Sequence, residues 1–213
     1  TSEILICTPI LLHRKNDVKG LLLRINLWYN RSVIKDGAIM KNTRKLIYTA
    51  MMTAIIAACS WISIPAVVPF TLQTFAVFCA LGLLGWSWGA LSVSVYILLG
   101  AFGLPVFSGF VGGVGHLVGP TAGYIWGFLL AAVIYGVVKK LLGKAKFADF
   151  IALTAGLIGC YTFGTLWFVH VYTGDMDYLK ALSLCVFPFI IPDLIKMFIA
   201  CKLVDRIKPH IFS

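Results

Sequence analysis

The sequence has little charge, and acidic residues are especially scarce. Only 12% of its 213 residues are charged, with 8 Asp and Glu against 18 Lys and Arg, whereas 60% are hydrophobic. Together with a mean hydropathy of +0.94, this excludes an ordinary soluble domain and is typical of a polytopic membrane protein. The net charge of +10 does not predict nucleic-acid binding, because the basic residues lie mostly at the ends of apolar segments and not among surface aromatics.

Motifs for nucleotide and metal chemistry are also missing. No GK[ST] sequence occurs anywhere in the chain, so it has no P-loop with which to bind ATP. The 6 cysteines lie within or beside apolar segments, show no CxxC spacing and have no histidine at ligand distance. We therefore expect neither zinc, nor a disulfide framework, nor a cofactor.

Methionine is absent from residues 1–39, and Met40 is the first. It precedes KNTRK and then an apolar segment, as a natural start would. We therefore expect residues 1–39 to be a non-native or upstream-translated extension, and residues 40–213 to form the membrane domain. A signal peptide is the alternative, but Pro9 interrupts the early apolar run and no small-residue cleavage site precedes Met40.

The apolar segments after Met40 predict an all-α membrane protein with six transmembrane helices. Their expected ranges are about 46–64, 75–84, 90–104, 120–138, 150–172 and 182–203. A tight turn is predicted over Gly85–Gly89. The segment from Leu104 to Tyr124 has six glycines and is expected to form a long loop that bends back towards the bundle, after the third helix.

Six spans place both termini on one side of the membrane, and the basic residues indicate which side. The ten Lys and Arg residues predicted on the side of the termini are Lys41, Arg44, Lys45, Lys139, Lys140, Lys144, Lys146, Lys202, Arg206 and Lys208. Lys180 stands alone on the other side. The positive-inside rule therefore predicts cytoplasmic termini. The glycine-rich loop, the Gln73 loop and the loop over 173–180 then face outward.

Asp193 and Lys196 are the charged residues set deep within a membrane-length apolar segment, FPFIIPDLIKMFIAC. In a bilayer core each such charge costs roughly 2.5–3.5 kcal/mol, so it needs a partner, a polar cavity or a ligand. Their spacing of i to i+3 puts both side chains on one helix face, and Pro192 predicts a kink or helix start just before them. The pair is either an ion pair that stabilises the helix or the centre of an outward-facing binding site.

The first predicted helix carries small residues at Ala50, Ala54 and Ala58, one every four residues. This spacing lines up one smooth face that permits close helix approach in lipid. The face is either an internal packing seam or a docking surface for a partner.

Several separated motifs, in this order, resemble the BioY family. They are PFTLQT (69–74), LLG(x3)GALS (83–92), YILLGAFGLPVFSG (96–109), GPTAGYIWGF (119–128) and IPDLIKMFIA (191–200). The resemblance covers residues 40–213. It implies the substrate-binding S component of an energy-coupling-factor transporter, which binds biotin from outside. Its implied partners are a membrane coupling protein and two cytoplasmic ATPases, within the plasma membrane of a bacterium.

The resemblance also implies roles for individual residues. Asp193 and Lys196 match the family's biotin-contacting Asp and Lys, and Gln73 and Tyr124, which lie in two of the shared motifs, are expected to be substrate-binding residues too. Some members have an asparagine after the LPVF segment, where Ser108 or a backbone group would substitute. The alanine repeat matches the family's docking helix.

Two other functions are weighed against this one. The first is a stand-alone biotin carrier that needs no ATPases. The second is an intramembrane enzyme that uses Asp193, although no second intramembrane carboxylate accompanies it.

Overall fold

The computed structural model describes residues 42–66, 68–143, 145, 147–172 and 177–212. The chain divides into two compact units, Thr1–Arg44 and Lys45–Ser213, and the membrane fold belongs to the second. The predicted extension over 1–39, together with Lys41, Lys144 and Lys146, lies outside the described residues.

The described fold is helical apart from one short strand pair. Helix α1 covers residues 42–61 and is followed by α2 (Gln73–Ala101), α3 (Val114–Val118), α4 (Ala122–Leu142), α5 (Ala148–Val171), α6 (Tyr178–Cys185) and α7 (Phe187–Phe212). Strands β1 (Ser63–Ile64) and β2 (Phe70–Thr71) pair antiparallel between α1 and α2.

By total length and apolar composition alone, three described helices, α2, α4 and α5, could cross a membrane, although Gly85 divides α2 into two arms. Helices α6 and α7 form a pair bent by 44° that would make a fourth span if counted together. Large apolar side chains such as Leu98, Ile158 and Phe198 are exposed on the outside, as expected of a surface that faces lipid. The all-α membrane fold is therefore confirmed, whereas the number of six spans and the cytoplasmic termini stay predictions.

Helix α2 turns back on itself at Gly85. This residue has φ 79° and ψ 176°, outside the helical region, a conformation open to glycine because it has no Cβ. A Cβ added at Gly89 would lie 3.0 Å from the Cα of Leu81, although residues eight apart in a straight helix are about 12 Å apart. The two arms of α2 therefore lie side by side. They correspond to the predicted second and third spans, with the turn confined to Gly85 and not extended to Gly89.

The helix that carries the charged pair does not start at Pro192, so that half of the prediction was wrong, whereas a kink at Pro192 stays a prediction. Val186, with φ −124° and ψ −54°, separates α6 from α7, and Pro192 lies inside α7. The physical reason is that Pro188 occupies the first turn of α7, where a missing N–H leaves no helical bond unmade.

The loops predicted to face outward contain more helix than the sequence indicated. Helix α3 interrupts the glycine-rich segment, while α4 begins at Ala122, close to the predicted start of the fourth span at about residue 120. In the predicted loop over 173–180, residues 173–176 lie outside the described residues, while α6 takes Tyr178 to Lys180.

Small residues hold α4 and α5 together. A Cβ at Gly156 would lie 2.9 Å from the carbonyl oxygen of Ala131, and one at Gly127 would lie 2.7 Å from the Cys160 sulfur. Glycine therefore allows the two helices to approach backbone to backbone, as is common where packing replaces the hydrophobic effect in lipid.

Basic side chains gather at one end of the bundle. Lys208, in the last turns of α7, donates to the carbonyl of Gly82 at 3.0 Å, close to the turn of α2. Lys45, near the start of α1, lies 5.9 Å from the centre of the Trp88 ring. Asp193 lies in the second turn of α7, so the charged pair is at the other end of that helix from Lys208.

Candidate functional site

A cavity of about 90 Å³ lies among the ends of the helices away from this basic end. One water molecule needs roughly 10–15 Å³ on the same measure, so the space suits a small organic ligand. All five residues predicted from the sequence line it: Gln73, Ser108, Tyr124, Asp193 and Lys196. They come from α2, the segment between α2 and α3, α4 and α7.

Asp193 is buried and held by three donors from three directions. Its Oδ1 accepts from Lys196 at 2.8 Å and from the Thr74 hydroxyl at 3.0 Å. Its Oδ2 accepts from the Tyr161 hydroxyl at 2.6 Å. An ionised carboxylate offers about four acceptor positions, so one is left for a ligand.

Lys196 is fully engaged by the protein. Its three ammonium hydrogens meet three acceptors: the Thr71 carbonyl at 2.7 Å, Asp193 Oδ1 at 2.8 Å and the Thr74 hydroxyl at 3.2 Å. The ammonium also lies 4.0 Å from the centre of the Phe70 ring, a cation–π geometry. The pair therefore does more than stabilise α7, because it joins that helix to β2, α2 and α5.

Sequence reasoning missed Thr74 and Tyr161 as members of this network. Thr74 lies in the PFTLQT motif, which was the available signal. Tyr161 lies within the long apolar α5, where a hydroxyl does not reveal its partner 32 residues away.

Gln73 and Tyr96 are buried polar side chains with unused capacity. The amide nitrogen of Gln73 has no hydrogen-bond partner among the described residues, and this side chain is only 6% exposed. The hydroxyl of Tyr96 also has no bond of good geometry within the described structure, although Ser60 lies close to it. Both residues line the cavity. Because an unpartnered buried polar group costs about 1–3 kcal/mol, such groups are expected where a ligand completes the site.

Tyr124 forms part of the cavity wall, and its hydroxyl is paired with another hydroxyl of the protein. Its hydroxyl lies 3.1 Å from that of Thr165. The ring fits against Gly164, where an added Cβ would lie only 2.3 Å from it. The glycine therefore provides the room that lets α4 and α5 present this ring to the cavity.

The segment between α2 and α3 is fastened to the end of α1. The indole nitrogen of Trp61 donates to the Pro105 carbonyl at 2.8 Å, and its ring stacks on Phe110 at 5.1 Å. Ser60 donates to the Val106 carbonyl. This segment carries Ser108 to the cavity, so α1 helps to hold one side of the site.

Ala50, Ala54 and Ala58 are exposed on α1. The packing seam of α1 uses its opposite face, where Thr53 donates to the Ser92 carbonyl at 3.1 Å and Ser92 donates to the Thr49 carbonyl at 3.2 Å. The alanines therefore lie outside the described packing, and their docking role stays a prediction.

The fold and cavity define a multi-pass membrane protein with a buried, partly polar site for a small ligand. The described residues contain no cluster of three or more His, Cys, Asp or Glu side chains that could hold a metal ion. The model of the BioY family matches residues 31–212, and the chain belongs to that family. The predicted resemblance is thereby confirmed, and the match begins upstream of Met40.

Proteins similar to this chain include three biotin transporters. It is 44% identical to the biotin transporter BioY of Thermotoga maritima, over 78% of this chain and 96% of that one. It is 36% identical to the biotin transporter BioY of Rhodobacter capsulatus, over 72% and 87%. It is 34% identical to the biotin transporter BioY2 of Lactococcus lactis subsp. cremoris, over 74% and 87%.

The fold is similar to a crystal structure of the S-component for biotin from an ECF-type ABC transporter. The TM-score is 0.71 at 31% identity, over 79% of this chain and 93% of that one. Membership of this transporter family makes the chain a multi-pass protein of the bacterial cell membrane and not an enzyme.

Proposed function

We propose that this chain binds biotin in the cavity beside Asp193 and acts as the S component of an energy-coupling-factor transporter. The observation that carries the proposal is the buried Asp193 carboxylate, which three protein donors hold in place while one acceptor position stays open. The names of the similar proteins supply the ligand.

Biotin matches the cavity in chemical type. Its ureido head has two N–H donors and one carbonyl acceptor, its fused rings are apolar, and its tail ends in a carboxylate. Asp193 accepts from one ureido N–H, and the unpartnered amide of Gln73 donates to the ureido carbonyl. Aromatic residues such as Phe107, Phe128 and Phe189 line the same space and suit the apolar rings.

Lys196 orients Asp193 in this proposal and does not itself contact the ligand. The sequence leaves open whether Lys196 meets the ureido oxygen or the tail carboxylate. The three acceptors around its ammonium support neither contact, because a ligand would have to displace one of them.

The exposed alanine face of α1 is the proposed docking surface for the membrane coupling protein, which in turn engages two cytoplasmic ATPases. Small residues permit close approach by a partner helix, and the chain carries no nucleotide-binding motif of its own. In this arrangement both termini are cytoplasmic and the cavity opens outward. The alternative of a stand-alone carrier differs in one outcome, since uptake of labelled biotin would then continue in cells that lack the ATPases.

Titration calorimetry on the purified protein tests the proposed ligand. We expect saturable binding of biotin at one site per chain. Riboflavin, a vitamin with a larger, three-ring system, should not bind. Absence of biotin binding by folded protein would contradict the proposal.

A further inference from the structure

The polar side chains around the cavity fall into two groups. Asp193, Lys196 and Tyr161 bond to one another or to Thr71 and Thr74. By contrast, no described residue forms a hydrogen bond with the side chains of His116 and Ser108, which line the cavity, or with the Gln73 amide nitrogen and the Tyr96 hydroxyl. The first group is already hydrogen-bonded within the protein without a ligand, whereas the second group can still donate hydrogen bonds to one.

The charge balance makes this division important for an anionic ligand. Lys196 is the lysine on the described lining, but its three hydrogens are already directed to Asp193, Thr71 and Thr74. A carboxylate entering the cavity would also meet Asp193, which has the same sign of charge. The negative end of a ligand is therefore expected to lie away from this pair, near donors that are still free.

His116 is fixed in position by aromatic packing. Its ring stacks on Phe107 with a centroid distance of 5.6 Å and an interplanar angle of 17°. Phe107 in turn is 1% exposed and meets Tyr96 edge to face at 5.5 Å. A Cβ at Gly100 would lie 2.0 Å from Phe107, so the platform beneath His116 is tightly packed.

We propose that His116 binds the tail carboxylate of the ligand by donating a ring N–H, and so makes the site selective for an acid over its neutral amide. This inference rests on the proposed function, because it assigns the second end of the same ligand. The imidazole can donate from a ring nitrogen in either neutral tautomer and from both when protonated. While the ring face stacks on Phe107, neither ring nitrogen has a hydrogen-bond partner within the described part of the chain.

The test compares biotin with biotin amide, which keeps the rings and replaces the carboxylate by a neutral group. The key variant is His116→Phe, which retains an aromatic ring to stack on Phe107 but has no donor. Calorimetry would measure both ligands on the wild type, on His116→Phe, and on His170→Ala as a control at an exposed histidine of α5.

We expect the wild type and His170→Ala to prefer biotin over the amide by roughly tenfold or more, as for a hydrogen bond to a charged group. His116→Phe should bring the two affinities close to parity by weakening biotin binding while leaving amide binding unchanged. His116→Asn, which restores a donor, should regain part of the preference.

Equal affinities of the wild type for both ligands would overturn the assignment of His116, and so would an equal loss for both ligands in His116→Phe. In either case the proposed function survives, because biotin still binds to the wild type. Failure of the wild type to bind biotin at all would instead contradict the proposed function.

Discussion

Replacing Asp193 by Asn probes the centre of the site with little change in shape. The new side chain keeps one oxygen that can accept from Lys196 and Thr74, and its amide nitrogen can donate to the Tyr161 oxygen. The hydrogen bonds among α2, α5 and α7 are therefore expected to persist, although the buried Lys196 ammonium loses its counter-charge and the fold loses some stability. The charge that receives a ligand N–H is lost.

The size of the effect follows from the burial of the pair. Asp193 is 2% exposed, so its hydrogen bond to a ligand forms away from water and is charge-assisted. Such bonds contribute about 1.5–3 kcal/mol, which corresponds to a loss of roughly ten- to a hundredfold in biotin affinity.

Titration calorimetry gives the affinity, and thermal unfolding in the same detergent checks that the variant is folded. Asp205→Asn is the matched control, because Asp205 is an exposed carboxylate on the same helix. Biotin affinity unchanged in Asp193→Asn would refute the assignment of this carboxylate as a ligand contact.

Three further predictions concern the charged pair, the alanine face of α1 and the contact that fastens the segment between α2 and α3. Lys196→Met should lower the free energy of unfolding by about 3–5 kcal/mol, because it leaves a buried carboxylate unpaired. The double variant Asp193→Asn/Lys196→Met should regain part of this stability in thermal unfolding, and equal stability of the single and double variants would contradict this. Ala54→Trp should abolish co-purification with the coupling protein while biotin binding survives, with Val133→Trp on the exposed face of α4 as control; an intact complex would rule out the alanine face as the docking surface. Trp61→Phe removes the hydrogen bond to Pro105 but keeps a ring over Phe110, and should speed biotin release roughly fivefold in stopped-flow measurements, because the lost bond contributes about 1 kcal/mol. The control Trp86→Phe, near the turn of α2, should leave the release rate unchanged. An unaltered rate in Trp61→Phe would show that this contact does not slow biotin release.

The charged pair could be predicted from sequence because a charge within an apolar run is costly and therefore conspicuous. The residues that complete the site carry no such signal. Thr74 and Tyr161 bear hydroxyls of a kind common in membrane helices, and their partner lies 119 and 32 residues away along the chain. Only the packing of α2 and α5 against α7 brings them together.

Some helix breaks could likewise be predicted from the local sequence, whereas others depend on tertiary packing. Gly85 could be recognised as a turn because glycine tolerates positive φ. Pro192 was a misleading signal for the start of the helix, because proline also fits within a membrane helix when neighbouring groups satisfy the freed backbone. His116 carries no sequence signal of its own within the glycine-rich segment, and its place on the cavity wall follows from the stacking on Phe107.

The most direct test of the central claim is a structure of the protein with biotin bound. We predict that the ureido head lies among α2, α5 and α7, with one ureido nitrogen within hydrogen-bond distance of Asp193 and the ureido oxygen near the amide of Gln73. Biotin bound elsewhere, or bound in this cavity with its carboxylate beside Asp193, would contradict the account.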